Sequence, residues 1–419
     1  MIIEIFLKRV FGDPVETTKF ILELFLIYVI IRFRHKVKKP TIELPEKIRM
    51  KLIKDFKPSE LLENPPGDFL VEKKYSKKFL NLASYDCFQI GNLLKDESKE
   101  IINSYGIGTC GPPTFYGTLD CHLSLQDKIS EILGTGDSLL YSNSYTCVHS
   151  VISCFSTKSD YIFYPKNANE AIIRGINLSK SKCYEFDNLE TLENLLKLYF
   201  NKKVNNFVII EGLSKNEGEI INLKKILEFK EKYNFKIILD ESLSIPFLDM
   251  RGVCGYFNVP SKLIEIRIGS FSYGFSSCGG FFTGDKLLTD YQRLNSSSYV
   301  FSASLPGVLS NFNRLVFDMK FDYLRIRRKI KIFHKNFKSE KYEIISNIKS
   351  PIILIRLKSE KSKKANLSIF HKIIEDLHGQ NIYVGLNLNP MPTLMIGIKL
   401  EQKNVKKLAI KILEICEKY

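Results

Sequence analysis

Residues 267–284 read RIGSFSYGFSSCGGFFTG, and the fold can be worked out from this stretch. It has the pattern of an apolar strand, a serine-rich turn and a Gly-Gly step into a second apolar strand. Small hydroxyl residues and glycines clustered between strands are typical of a turn that holds a phosphate group. Yet no lysine occurs between Leu263 and Asp285. The turn therefore has the character of a phosphate site without an amine beside it.

Apolar runs with strand patterns alternate with helical patterns around this turn. Residues 206–213 (NFVIIEGL) and 235–242 (FKIILDES) each read as a buried strand, and a helical pattern lies between them. Strand, helix and strand in this order predict parallel crossovers in an open α/β sheet. Ligands of such sheets bind at the carboxyl ends of the strands. We therefore expect a site at Glu211, Asp240 and the turn at Ser270.

The element patterns divide the chain into four parts. Residues 1–39 carry an apolar segment, and residues 40–78 read as a proline-punctuated connector with one helix at about 45–56. A large domain with the mostly parallel sheet is expected at 79–316. A basic helix, short strands and a final amphipathic helix then predict a smaller α/β domain at 317–419.

The N-terminal segment VETTKFILELFLIYVIIRF, residues 15–33, is mostly apolar. Residues 20–31 contain one charged side chain, Glu23. The run is shorter than the ~20 apolar residues of a full span, but Lys19 and Arg32 can snorkel to the two interfaces. The basic residues that follow predict a cytosolic C-terminal side. We expect a single-pass transmembrane helix, with an interfacial helix and a targeting segment as the alternatives.

The composition argues against two other classes of function. The 419 residues carry a net charge of +16, but the basic residues are scattered, without the basic and aromatic pattern of nucleic-acid binding. The nine cysteines are odd in number and form no CxxC pair, which argues against a disulfide framework and a zinc ribbon. We therefore expect the body of the chain in the reducing cytosol, with no nucleic-acid partner and no metal site.

The stretch YGIGTCGPPTFYGTLDCHLSLQDKISEIL, residues 105–133, carries the most specific pattern of the chain. The motifs EGL at Glu211, DESLS at Asp240, GGFFTG at Gly279 and FSASLP at Phe301 follow it in order. Together they resemble the fold-type I, pyridoxal-phosphate-dependent α-oxoamine synthases. Within that family the pattern is most similar to the first long-chain-base subunits of serine palmitoyltransferases. The resemblance implies the fold-type I transferase fold for nearly the whole chain after the connector.

The resemblance also implies where the family's cofactor-binding residues fall. Tyr273 stands at the position of the lysine that holds pyridoxal phosphate, and tyrosine cannot form a Schiff base. Asn169 stands at the position of the ring-stacking histidine, and Leu243 at that of a second histidine. Asp240 keeps the carboxylate for the pyridine nitrogen, whereas the substrate-binding arginine falls near Met395. The loss of four roles points to a chain that is catalytically inactive by itself.

Function and partners follow from the same resemblance. It implies a non-catalytic subunit of serine palmitoyltransferase, the acyltransferase that condenses L-serine with palmitoyl-CoA to 3-ketodihydrosphingosine in sphingolipid biosynthesis. Pyridoxal phosphate is expected in a catalytic second long-chain-base subunit, which forms a heterodimer with this chain. Asp240, Ser270 and Ser272 are then vestiges of a cofactor site. The resemblance further implies the endoplasmic reticulum membrane, a cytosolic body and small regulatory membrane proteins as additional partners.

A glycine-rich loop is the expected contact with the partner's active site, because glycine allows the backbone to approach closely. Its candidate residues are Gly108, Thr109, Cys110, Gly111, Phe115, Tyr116 and Gly117.

Several of these residues also have a structural interpretation. Asp240 can be a strand-end carboxylate that backbone amides satisfy, and the serines of the turn can be turn formers. We interpret Cys110 and Cys278 as small buried side chains and His122 as structural. The run RIRRKIK, residues 325–331, is expected to be a solvated helix face, with a membrane-facing role as the alternative.

Two other functions stay open. The first is an active α-oxoamine synthase of other specificity that uses a different lysine. Lys262 and Lys286 flank the turn, but each lies more than ten positions from Tyr273. The second is a regulatory or scaffolding membrane pseudoenzyme that is unrelated to sphingolipids.

Overall fold

The computed structural model describes residues 12, 14–34, 45–55, 62, 63, 69–72, 77–92, 95–358, 362–388 and 390–419. The chain forms two compact units, Met1–Leu61 and Leu62–Tyr419. The first unit contains helix α1, Pro14–Arg34, and helix α2, Glu46–Asp55, which lies where the connector helix was expected.

The expected transmembrane helix falls in α1. No helix within the described residues is long and apolar enough to cross a membrane. The basic residues at 35–39, on which the predicted orientation depends, lie outside the described residues. The anchor therefore stays a prediction.

The second unit alternates strands and helices. Its strands are β1 Leu62–Glu63, β2 Phe69–Glu72, β3 Lys77–Asn81, β4 Asp137–Tyr141, β5 Tyr161–Pro165, β6 Lys182–Phe186, β7 Asn206–Glu211, β8 Lys236–Asp240, β9 Ile266–Ser270, β10 Gly280–Gly284, β11 Tyr342–Ile344, β12 Ile352–Leu357, β13 Ile382–Tyr383, β14 Gly385–Asn387 and β15 Thr393–Gly397. Its helices are α3 Lys95–Tyr105, α4 Asp120–Leu133, α5 Ser144–Phe155, α6 Glu170–Ser179, α7 Leu189–Tyr199, α8 Leu223–Tyr233, α9 Ser244–Phe247, α10 Gly252–Phe257, α11 Lys286–Asn295, α12 Ser297–Val300, α13 Gly307–Asp318, α14 Tyr323–Asn336, α15 Lys363–Gly379 and α16 Val405–Glu417.

The central sheet has seven strands in the order β4-β10-β9-β8-β7-β5-β6. Strand β10 is antiparallel to both of its neighbours, and the strands from β9 to β6 are parallel to one another. Strands β7 and β9 are buried along their whole length, because helices cover both faces of a parallel sheet. This architecture confirms the predicted α/β fold with a mostly parallel sheet.

Two smaller sheets complete the second unit. One is antiparallel, in the order β11-β12-β15-β14, and the other has the order β1-β2-β3-β13. In the latter, β13 from the C-terminal part pairs in parallel with β3. Strands β1 and β2 fall within residues 40–78, which the sequence assigned to a connector, so the structure groups the end of that stretch with the body. The division at residues 316 and 317 stays a prediction.

A buried ion pair joins the strands at the centre of the sheet. Arg267 of β9 donates a 2.8 Å hydrogen bond to Glu241, and both side chains are fully buried. The guanidinium group also donates to the carbonyl oxygens of Leu133 and Arg251. Glu241 in turn accepts from the backbone amide of Val253. A buried charge pair of this kind needs such additional hydrogen bonds, because both ions have lost their hydration.

Candidate functional site

A pocket lies at the carboxyl ends of β7, β8 and β9, where the sequence predicted a site. Register brings the strand ends together, since Glu211 pairs with Asp240 and Asp240 with Ile268. The cavity has a volume of about 100 Å³. Its lining consists of Ser144, Tyr145, Val148, Asn169, Glu170, Ala171, Glu211, Leu213, Lys215, Asp240, Ser242, Leu243 and Tyr273.

Asn169 connects the two carboxyl groups at the bottom of the pocket. Its side-chain amide donates to Asp240 at 2.9 Å and to Glu211 at 3.1 Å. Its oxygen accepts from the amide of Ile172 and so caps the N-terminus of α6. The second oxygen of Asp240 accepts from the backbone amide of Ser242 at 2.9 Å. Both amide hydrogens of the Asn169 side chain and one lone pair of its oxygen are therefore engaged with the protein itself.

Burial changes the acidity of both carboxyl groups. It raises the pKa of Glu211 to about 7, and the negative charge of Asp240 acts in the same direction. It also raises the pKa of Asp240, against the hydrogen bonds from Ser242 and Asn169. Both neighbouring acids thus hold their protons more tightly than in water, and Glu211 is partly protonated at neutral pH.

Tyr273 projects from the turn between β9 and β10 toward this pocket. Phe271 and Phe275, on either side of it, are fully buried and pack against each other. Gly274 has φ +74°, and a Cβ there would come within 2.6 Å of Pro246. Two phenylalanine anchors and one glycine thus fix the turn, and they aim residue 273 at the pocket without any contribution from a ligand.

Lys215 is the pocket residue that the sequence analysis missed. It follows β7 in a loop, and its ammonium group donates a 2.9 Å hydrogen bond to the hydroxyl of Tyr273. The same group lies 5.1 Å from the centre of the Tyr273 ring, which packs edge-on against Tyr85. Its position four residues after the strand-end Glu211 was the available signal, because loops that follow parallel strands line the site.

The environment of Lys215 keeps its amine protonated. Burial lowers the pKa of this group, but Tyr273, Tyr85 and Glu211 together outweigh burial, so that the pKa is raised overall. An amine with a raised pKa is a poor nucleophile at neutral pH. Lys262 and Lys286, the lysines considered from the sequence, are exposed and lie at the opposite ends of β9 and β10 from the turn.

The pocket residues do not fit covalently held pyridoxal phosphate. Residue 273 has no amine, and Asp240 already accepts a hydrogen bond on each oxygen. At the N-terminus of α5, where a phosphate would need free amides, Asn143 accepts from the amides of Tyr145 and Thr146. The cavity of about 100 Å³ is also smaller than the roughly 300–1,000 Å³ of common ligand pockets.

The serines of the turn are partly engaged with the protein as well. Ser270 is buried, and its hydroxyl accepts from the amide of Ser272. The hydroxyl of Ser144 donates to that of Ser272 at 3.2 Å. These contacts agree with the structural interpretation of the serines as turn formers.

The candidate partner loop lies on the surface of the same unit. Thr109 donates to the carbonyl oxygen of Ser304, and the backbone amide of Ser304 donates to the carbonyl oxygen of Gly111, so the loop is held against residues 301–305. Phe115 and Tyr116 are 65% and 91% exposed. A loop that is fixed in its backbone but exposes two aromatic rings has the character of a protein contact surface.

Other predicted residues can now be placed. Leu243 lines the pocket, whereas Met395 is buried in β15 of the antiparallel sheet. His122 is structural, since it accepts from the amide of Leu119 and contacts the carbonyl oxygen of Leu305. The expectation that Cys110 and Cys278 are buried is wrong, because both lie in exposed loop segments.

Comparison with known proteins assigns this chain to a family. The chain matches the family Aminotransferase class I and II over residues 77–409. It is 32% identical over 381 residues to serine palmitoyltransferase 1 of Dictyostelium discoideum, covering 82% of this chain and 78% of that protein. It is also 32% identical over 397 residues to long chain base biosynthesis protein 1 of Arabidopsis thaliana, covering 87% and 82%.

Solved structures share the fold. A serine palmitoyltransferase from S. paucimobilis with bound PLP and myriocin superimposes with a TM-score of 0.77 at 19% identity, covering 89% of this chain and 96% of that one. The Sphingomonas wittichii serine palmitoyltransferase also gives a TM-score of 0.77, at 20% identity and with 89% and 95% coverage. The chain therefore belongs to the class I and II aminotransferase family and, within it, to the family of serine palmitoyltransferase 1 and long chain base biosynthesis protein 1.

Proposed function

We propose that this chain is the non-catalytic first subunit of a serine palmitoyltransferase. The holoenzyme condenses L-serine with palmitoyl-CoA to 3-ketodihydrosphingosine, the entry step of sphingolipid synthesis. The names of its relatives support this assignment. The observation that carries the non-catalytic role is the occupied pocket, in which a tyrosine replaces the essential amine and Asn169 takes up the carboxylate of Asp240.

Pyridoxal phosphate then belongs to a second subunit, which supplies the lysine and the carbon–carbon bond chemistry. The present chain contributes the wall of an interface site through the loop at 108–117. The exposed rings of Phe115 and Tyr116 support that role, because aromatic side chains are enriched in the contact regions of protein interfaces.

Co-purification with a catalytic companion tests the assignment. The full chain, expressed with a lysine-containing second subunit of the same family, should yield a complex that releases CoA from L-serine and palmitoyl-CoA. Tyr273→Phe in this chain should leave the turnover of the complex within about twofold, since residue 273 is far from the chemistry in this account. A complex that forms but loses its turnover with Tyr273→Phe would place the reaction in this chain instead.

An active synthase remains a second candidate because Lys215 lies beside Tyr273. Borohydride reduction of the full chain with pyridoxal phosphate distinguishes the two candidates. A reduced adduct on Lys215 that is absent in Lys215→Met, but present in the control Lys262→Met, would favour the active enzyme. The proposed role predicts no such adduct, because the amine of Lys215 is protonated and paired with Tyr273.

We further propose that α1 holds the chain at the endoplasmic reticulum membrane, with the body in the cytosol. Seven large apolar side chains between residues 21 and 28 are about half exposed or more in this helix. Their burial in lipid would remove that surface from water. Replacing Leu22, Phe25 and Ile27 with serine should release the chain from salt-washed microsomes into the soluble fraction. Retention of this variant after a high-salt wash, which removes purely electrostatic binding, would contradict the proposal.

A further inference from the structure

Helices near the C-terminal end of the chain form a basic surface. Helix α14 packs against α16, and α16 packs against α15. Within its residues 323–336, α14 contains six lysines and arginines and no acidic residue. Most other long helices of the chain mix the two signs, as α8 does with four lysines and two glutamates.

The basic residues of α14 fall into two groups. Those at its flanks are engaged with the body: Arg325 forms a bidentate ion pair with Glu401, Arg327 donates to the carbonyl of Leu248, and Lys329 donates to that of Gln402. Such bonds are sufficient to explain those three residues as structural.

The basic residues on the outer side of α14 are not explained by bonds of this kind. Arg328, Lys331 and Lys335 lie opposite the buried side of the helix and are exposed. Lys406 and Lys407 of α16, the helix that packs against α14, are exposed as well. We call these five residues the basic face. None of the five forms an ion pair with any residue that the structure describes. Five unpaired cations on two adjacent helices repel one another, and this repulsion favours binding of an anionic partner.

Apolar side chains lie among these cations. Leu324 is 66% exposed and Ile332 is 41% exposed, and both belong to the outer part of α14. Aliphatic chains between lysines can enter the headgroup region of a bilayer while the ammonium groups contact lipid phosphates. They cannot stack on nucleic-acid bases, which need aromatic rings.

We propose that the basic face docks on an anionic phospholipid bilayer. Arg328, Lys331, Lys335, Lys406 and Lys407 bind the headgroups, and Leu324 and Ile332 enter between them. Anionic lipid attracts each such cation and its effect depends on salt. This surface is independent of the pocket and of the proposed function, and it would orient the body against a membrane whether or not the chain is part of an enzyme.

Vesicle co-sedimentation of the full chain tests the proposal. Binding is compared between vesicles of phosphatidylcholine alone and vesicles that also contain phosphatidylserine, at low and high salt. The ratio of the affinities for the two kinds of vesicle isolates the electrostatic contribution to binding, because α1 contacts the same acyl chains in both. The test variant is Arg328→Gln/Lys331→Gln/Lys335→Gln. The matched control is Lys158→Gln/Lys202→Gln/Lys203→Gln, which removes three exposed charges from outside the basic face.

The proposal predicts that the test variant loses the preference for phosphatidylserine. The loss should be about fivefold for each charge, or about a hundredfold in all, and the control should keep the preference within about threefold. Equal losses in the two variants would assign the effect to net charge and overturn the proposal. A test variant that binds vesicles normally but no longer binds an RNA duplex would overturn it too, in favour of a nucleic-acid surface. Both variants should melt like the unmodified chain, and the individual substitutions serve if the triple variant does not.

Discussion

Lys215 and the two carboxyl groups near it determine the charge balance of the pocket around Tyr273. In a catalytic relative, the lysine that holds the cofactor would lie at this point. Here the ammonium group of Lys215 is held over the ring of Tyr273, and its attraction lowers the cost of ionising Asp240. Lys215 and Tyr273 thus bond to each other at the position that the family's lysine would take.

Replacing Lys215 tests this interpretation. We expect Lys215→Met to lower the free energy of unfolding by about 1–2 kcal/mol, since Tyr273 loses a charged donor and two buried acids lose a nearby cation. Urea denaturation at pH 7 measures the change. The control Lys158→Met removes an exposed lysine that lies far from the pocket in sequence, and it should change stability by less than about 0.5 kcal/mol. Equal stability of the two variants would show that Lys215 has no such role.

Glu211 gives the pocket a dependence on pH. Its pKa is about 7 in the folded chain against 4.5 as the ordinary value, because it is buried beside Asp240. The folded state therefore holds a proton that the unfolded state releases above about pH 4.5. The contribution of Glu211 is present at low pH and is lost as the pH rises to about 7.

Glu211→Gln should remove this loss. The variant should become more stable than the unmodified chain by on the order of 2 kcal/mol at pH 8, with little difference near pH 4.5. Thermal unfolding across this pH range measures the difference. A parallel pH dependence of the two proteins would contradict the assignment to Glu211.

At this scale the sequence predicted five of the thirteen residues that line the pocket, but not its charge balance. Tyr273, Asn169, Leu243 and Asp240 do lie together, because each follows a parallel strand or the turn beside one. Lys215 could not be predicted with the same certainty, since a long side chain in a loop can reach in several directions. The exposure of Cys110 and Cys278 depends on loop packing that no periodic pattern reveals.

At the scale of elements, the ion pair between Arg267 and Glu241 holds β9 to the segment after β8. Arg267→Met should lower the free energy of unfolding by about 3–5 kcal/mol, because it leaves Glu241 buried without its partner. The double variant Arg267→Met/Glu241→Leu should recover part of this loss, since no charge then stays buried. Chemical denaturation measures both, with exposed Lys262→Met as the control. A double variant less stable than the single one would contradict the account.

The loop at 108–117 offers an element-scale test of the partner surface. A Cβ at residue 117 would overlap the carbonyl oxygen of Gly111, whereas a Cβ at residue 108 would meet nothing within 4 Å. Gly117→Ala should therefore displace the loop and weaken binding of the catalytic companion at least about tenfold. Gly379→Ala, whose added Cβ would also meet nothing within 4 Å, is the control outside the loop and should bind normally. Surface plasmon resonance with the companion measures both, and equal affinities would exclude the loop from the interface.

The strands and helices could be predicted because apolar residues are spaced differently in buried parallel strands and in amphipathic helices. The strands at 206–211 and 236–240 and the helix between them appear where the apolar runs predict. The pairing of β13 with β3 was not readable, since it joins short segments about 300 residues apart. Pairing over such separations depends on the completed core and not on any local pattern.

At the scale of the whole molecule, the chain keeps an enzyme's fold with a pocket filled by its own side chains. Its turn and its central sheet are in place, although residue 273 in the turn carries no amine. The central claim is therefore that this polypeptide cannot condense an amino acid with an acyl thioester by itself.

The most direct measurement is CoA release by the full chain, purified without any companion and supplied with pyridoxal phosphate, L-serine and palmitoyl-CoA. The account predicts no release above the protein-free background, and turnover only when the catalytic subunit is added. Release of CoA by the isolated chain that disappears in Lys215→Met would contradict the account.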